Sequence, residues 1–570
     1  MRFPGKLTFL FALTLLSCAT TPSVSSNSET VTKSETHSSE TSIQSSEESS
    51  LLSSEEVASS SMEESLTTTQ ESTSLPKDDQ GFIILPNGYL KPETRLHSFG
   101  ADVKEKEKVT NMRLYLGDEE VPIYGVYVNQ TRRWDPEAKG RDLSGVASVS
   151  ISAGAKFTLA STWVVGGRCK VKPFDKEVEV DFDEAYRTVS FEIKEPGDYV
   201  IEYRGNRMLH LFVHSYEETC PYNESNSIYF GPGVHNKNND PRLANSTMHL
   251  FSNQTVYLAE GAFVEAAFVS SNSTNVKIVG PGFIDGSVFD RNASKNTRHI
   301  PFDFADCSNF LFKSFAVLDP AGWCFNLYFC HDFTLEGVKV ISSRSNGDGI
   351  SLQSCKNAVI DGCFTRTYDD SIVVKNYPRW NNRSIEGETD NIEVKNCLIW
   401  TDLAQCMEIG YETVGTKMNN IRFHDNVVLA AYHKAVISIH NANNANIKDV
   451  HFENIVVENL QTGQGDGVPA LIEFTVAHSP TWSDQHKVTS LGDIDGVSVK
   501  NIDVLSGLKT PNITMKGSVE ERSTYPKVAH TISNVALENI VIQGEKIDKN
   551  YPNFTLSYVN SITLDGETIA

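Results

Sequence analysis

DFTLEGVKVISS (residues 332–343) is followed by NAVIDGCFTRTY (357–368) and NIEVKNCLIWTD (391–402), three lines built to one plan. Each runs as a short alternating strand, a polar pair such as Glu336-Gly337 or Lys395-Asn396, and a second short strand. The plan extends in both directions, from NVKIVGPGFIDG (275–286) to NVALENIVIQGE (534–545), with starts 23 to 38 residues apart and one gap of 47. Short strands rich in β-branched residues, bent at Asn or Gly and lacking amphipathic helices, predict an all-β fold: a parallel β-helix of stacked coils over residues 227–570. A propeller needs four strands per blade and a steadier period.

Stacking puts equivalent positions of successive coils on top of one another, about 4.8 Å apart. Cys307, Cys330 and Cys355 then share one column and Cys363 and Cys397 another, as packed thiols rather than disulfides. Residues 80–226 read differently. Alternating segments such as KEVEVDFDEAYRTVSFEIKEPGDYVIEYRG (176–205), broken by Gly, Pro and Asp turns, predict a small β-sandwich ahead of the β-helix.

The amino-terminal end has Arg2 and Lys6 before an apolar run from Leu7 to Leu16, too short to span a bilayer of about 30 Å. Residues 1–18 read as a secretory signal peptide, with Cys18 in a lipobox-like context and cleavage after Ala19 as the alternative. Residues 19–79, dominated by Ser, Thr and Glu, read as a disordered tether. The formal net charge of −23 argues against nucleic acid or an anionic membrane surface as partner. A monomer is expected, touching a membrane only through a lipid at Cys18.

The strand after each repeat line aligns by its inward residues: Ile350 and Leu352, then Ile372 and Val374, then Met407 and Ile409. In that register Asp348 stacks on Asp370, with Asp369 beside them. Like charges this close cannot all ionise, so at least one pKa rises. A neutral acid beside ionised partners suits glycosidic bond hydrolysis. A calcium site and plain turn chemistry are the competing readings of the same residues.

The lines IVGPGFIDGS (278–287), DPAGWCFNLYFCHDFTLEGVKV (319–340), NGDGI (346–350) and YDDSIVVKN (368–376) resemble, in order and spacing, the polygalacturonase family of glycoside hydrolases. The resemblance covers about Tyr229 to Asn459. It implies a right-handed β-helix and an inverting hydrolase of a polysaccharide without cofactor or metal, with Asp369 as general acid and Asp348 and Asp370 activating water. Asn346 and Lys375 match motif positions that meet substrate.

Two motifs of that family are missing. Ala404, Gln405 and Cys406 stand where G-H-G is expected, and Ser438 and His440 where R-I-K would grip a galacturonate carboxylate. Glu408, Glu473 and His440 are expected to project into the groove instead, with Glu408 and His440 as substrate contacts. Acids in the groove suit hydroxyls of a neutral sugar better than a polyanion. A dextranase-like hydrolase of a neutral glycan is therefore the alternative, ahead of a polysaccharide lyase or a non-catalytic adhesin. Trp323 reads as a core residue before a sugar platform.

Overall fold

The computed structural model describes residues 94–96, 111–135, 139–162, 169–204, 207–215, 227–291, 299–377, 387–479, 490–520 and 528–570. The expected signal peptide, Cys18 and the tether lie outside the described residues.

Two sheets form the amino-terminal sandwich. One holds Thr94–Leu96, Arg141–Ile151, Arg207–Ser215, Gly197–Arg204 and Lys170–Lys172, with Tyr124–Asn129 also paired to Arg141–Ile151. The other holds Glu119–Val121, Met112–Leu116, Ala155–Ser161, Thr188–Ile193 and Val180–Asp183. Strand alternation directs Leu114, Phe157, Leu159 and Phe191 from one sheet against Val149, Leu209 and Leu211 from the other, all of them buried.

From Ser227–Phe230 onward, parallel pairing takes over. Each central coil supplies three short strands, for example Lys356–Asp361, Phe364–Thr367 and Ile372–Asn376, and each pairs with its equivalent one coil on. The β-helix expected from the repeats is the fold observed. Its core is a set of inward columns: Phe302, Phe325, Ile350, Ile372, Met407, Ile437 and Ile472 follow one another at successive rungs. Phe302 and Phe325 stack with centroids 4.5 Å apart, as do Phe310 and Phe333.

The polar residues of the repeat have a backbone cause. Asn275, Asn309, Asp332, Asn357, Asn391, Asn420, Asp449 and Asn534 open eight repeat lines, and all have positive φ. A coil must turn sharply there, and among residues with a side chain Asn and Asp tolerate the left-handed conformation best. Their side chains also bond along the stack. Asn357 donates to Asp332 at 2.8 Å, Asn391 to Asn357 at 3.0 Å and Asn420 to Asn391 at 3.2 Å. The two cysteine columns form as expected: the amide after Cys330 donates to Cys307 O, and the amide after Cys363's neighbour Cys397 donates to Cys363 O. All five thiols are free and buried.

The sandwich docks on the second strand of each coil. Tyr124, Val126, Val146, Met208 and Phe212 pack against Phe263, Phe283, Leu318, Ile341, Phe364 and Trp400. That face of the β-helix is thus covered, and the cleft described next opens along its border.

Candidate active site

Asp348 leaves the core at a bend where Gly349 presses against the next coil. A Cβ there would lie 2.4 Å from Ser371 O, so only glycine permits the approach. Gly349 N donates to Asp370 O at 2.9 Å, and Ile350 pairs with Ile372. This stacks Asp348 on Asp370, in the register read from the sequence. One coil further, Gln405 N donates to Asp370 Oδ1 at 3.2 Å. Asp369 sits between, its carboxylate accepting from Asp370 N at 3.1 Å.

Lys375 ties the group together. Its Nζ lies 3.4 Å from Asp348 Oδ2, 3.8 Å from Asp370 Oδ2 and 3.4 Å from Glu412 Oε2, and 4.7 Å from the centre of the Trp323 ring. Glu412 reaches this position because the strand Met407–Thr413 bulges. Val374 pairs with Ile409 and Asn376 with Thr413, so Gly410, Tyr411 and Glu412 together oppose Lys375. Nothing in the repeat pattern announces that bulge, and Glu412 was not among the residues expected in the site.

Burial drives the protonation behaviour. It raises the pKa of all three aspartates, while Lys375 pulls each of them back. Asp369, which makes no ion pair with Lys375 within 4.0 Å, is pushed up to about 7 by burial and by the neighbouring Asp370. Lys375 stays charged, because Glu412, Asp348 and Asp370 outweigh its own desolvation. The protons belong to the coupled group rather than to one residue.

The cleft above these groups has a volume of about 160 Å³. Asn346 lines it, its Oδ1 accepting from Arg291 at 2.7 Å. Trp323, Gln405, Tyr411, His433 and Lys434 line it as well. Trp323 is 6% exposed and forms a wall, so it is neither pure core nor an open platform.

Glu408 and His440 require a correction. The column Glu408, Ser438, Glu473 exists as expected. Yet Glu408 is wholly buried and His440 is 3% exposed, and neither lines the cleft. Glu408 accepts from Ser438 and lies 2.8 Å from His440 Nδ1, while Glu473 lies 3.4 Å from Nε2. Tyr411, carried by the bulge, stacks on the His440 imidazole with centroids 4.2 Å apart. Outward on the strand is therefore not outward to water. Burial opposes the charged form of His440, but the two glutamates hold its pKa up at about 9.

The sandwich contributes too. Its 130–135 loop is bonded to the coils that bear the aspartates, and Trp134 from that loop lines the cleft. Acids clustered around one lysine, beside a proton-holding carboxylic acid, form an arrangement able to give a proton to one oxygen and take one from another.

Residues 235–472 match the sequence profile of glycosyl hydrolases family 28, and the chain is a glycosidase with a polygalacturonase-like β-helix. No curated protein matches the sequence. Among solved structures the chain is similar to Dex49A from Penicillium minioluteum, with TM-score 0.54, 14% identity, and coverage of 85% of this chain and 97% of that one. That span is too long to be the β-helix alone, so the shared fold includes part of the sandwich. A hyperthermoactive exopolygalacturonase from Thermotoga maritima matches with TM-score 0.40 and 16% identity over 60% of this chain and 84% of that one.

Proposed function

We propose that the protein hydrolyses a polysaccharide by acid–base catalysis. Asp369 gives its proton to the leaving glycosidic oxygen as the bond to the anomeric carbon breaks. A water oxygen bonds to that carbon and loses a proton to Asp370 or Asp348. The observation that supports this division of labour is the placing of Lys375 against Asp348 and Asp370 but not Asp369. Of the two, Asp370 is the better candidate, because the Gln405 N–H also holds it in the ionised form that a base needs. Inversion at the anomeric carbon is the outcome that the family resemblance implies.

A neutral glycan is the substrate that the cleft suits best. Among the described residues four carboxylates line it and no arginine does, and Lys375 is already shared among three acids. A polyanion would add charge to an acidic site. Lys434, which also lines the cleft, favours polygalacturonan as a second reading, since it can meet a uronate carboxylate. Action outside the cell, from a secreted or lipid-anchored position, is the reading that residues 1–18 support.

The test is a screen of purified protein against dextran, pullulan, galactans, polygalacturonan and rhamnogalacturonan, with Asp369→Asn as control. Reducing ends are expected from a neutral polymer, and about a thousandfold more slowly from the variant. Cleavage confined to polygalacturonan would replace the neutral reading by the second one. Equal rates for wild type and variant would remove Asp369 from its role.

A further inference from the structure

Among the described residues, three with large aromatic side chains line the cleft: Trp134, Trp323 and Tyr411. Two of them are already engaged. The Trp323 ring bears the Lys375 ammonium and packs in a buried cluster with Tyr328 and Tyr377. Tyr411 has one face against the His440 imidazole. Trp134 is 49% exposed, a large apolar surface left in water at the edge of an acidic site.

Nor is Trp134 loosely held. The loop that bears it leaves the strand Tyr124–Asn129 and is pinned to three successive coils of the β-helix. Asn129 Nδ2 donates to Ser343 O at 3.2 Å, on the coil that leads to Asp348. Thr131 Oγ1 lies 3.0 Å from the hydroxyl of Tyr368, the residue before Asp369, and that hydroxyl also donates to Arg133 O. Arg132 Nη1 donates to Asp402 Oδ1 at 2.6 Å, on the coil of Gln405, and its guanidinium lies 3.8 Å above the Tyr432 ring. An indole is thus fixed at the residues that flank the aspartate pair.

A pyranose ring has a rim of hydroxyls and a face of C–H groups. The cleft supplies carboxylates, an amide and ammonium groups for the rim. A site for such a ligand also needs an apolar surface for the face, and rigid aromatics provide it at low entropic cost. We propose that Trp134 is that surface, a stacking platform for a sugar ring of the substrate, so that the sandwich supplies part of the substrate-binding site. The inference rests on the glycan-hydrolysing reading above and adds to it a specificity-determining residue outside the β-helix.

The experiment compares wild type, Trp134→Ala and Trp134→Phe as full chains. With the polysaccharide that wild type cleaves, KM for Trp134→Ala should rise at least tenfold with kcat changed less than threefold, and Trp134→Phe should recover most of the loss. In an Asp369→Asn background, isomaltose- and galacturonate-series oligosaccharides are titrated by intrinsic fluorescence, and Trp134→Ala should weaken or abolish binding. Thermal unfolding should stay unchanged, because the side chain is half in water. A wild type that cleaves while Trp134→Ala keeps its KM would overturn this proposal alone. So would a loss that Trp134→Phe does not relieve. A wild type that neither cleaves nor binds any of the set would overturn this proposal and the hydrolase reading together.

Discussion

Lys375 Nζ lies 3.4 Å from Asp348 Oδ2, with both side chains almost wholly out of solvent, and the same ammonium is shared with Asp370 and Glu412. One cation is therefore in ion-pair reach of three of the four acids in the cleft, and Asp369 is the one beyond 4.0 Å. Replacing it with an uncharged side chain should alter pH dependence before it alters fold.

Lys375→Met leaves Asp348, Asp370 and Glu412 without their counter-charge. The pKa values of the two aspartates then rise, so the base is ionised only at higher pH. The acid limb of the kcat/KM profile should move up by one to three pH units or so, the range for loss of a close opposite charge. An unmoved limb would show that Lys375 does not govern the base.

Asp369 holds its proton to about 7. As the acid it works only while protonated, so the alkaline limb of kcat/KM should fall through a pH near 7. In Asp369→Asn that limb should vanish together with most of the activity. A rate that keeps climbing well above neutral pH would contradict the assignment.

His440 is charged and buried between Glu408 and Glu473. Its pKa rises from the ordinary 6.5 to about 9 in the folded chain. The sign follows: the stabilisation is fully present below about pH 6.5 and is lost as pH rises through about 9. His440→Ala strands Glu408 without a cation and should cost about 3–5 kcal/mol, read by urea unfolding at pH 7. The wild type should lose part of that advantage by pH 10, and a flat difference between the two proteins would count against the ion pair.

Asp402 is fully buried and accepts from Arg132 at 2.6 Å, Arg366 at 3.2 Å and Trp400 Nε1 at 3.1 Å. Asp402→Ala leaves two guanidinium groups unpaired beneath the sandwich and should destabilise by about 3–5 kcal/mol. Because Arg132 precedes Trp134 in the same loop, KM should rise as well. An unchanged melting temperature would mean that the guanidinium groups find water or other acceptors.

The stack was legible because its causes are local. Alternation names the inward residues, and the Asn or Asp at each bend marks where the backbone takes positive φ. Equal coils then put Ile350 on Ile372, and with it Asp348 on Asp370. The same logic misplaced Glu408 and His440. Alternation tells which side of a strand a residue is on, but not whether that side meets water. Here the bulge at Gly410–Glu412 brings Tyr411 over His440 and swings Glu412 to Lys375. One signal for the docked sandwich did stand in the chain: Phe263, Phe283, Leu318, Ile341, Phe364 and Trp400 are apolar on the outer face of their strands, where a solvated coil would be polar.

From the amino-acid order alone came the coil, its register and the meeting of three aspartates, since each follows from neighbours within one repeat. The tertiary structure decided which groups surround them: the bulge that delivers Glu412, the cover over Glu408 and His440, and the tryptophan arriving from the sandwich. Thr131 meets Tyr368 across 237 residues of chain. No periodicity spans such a distance, because what fixes that contact is the packing of the sandwich against the β-helix.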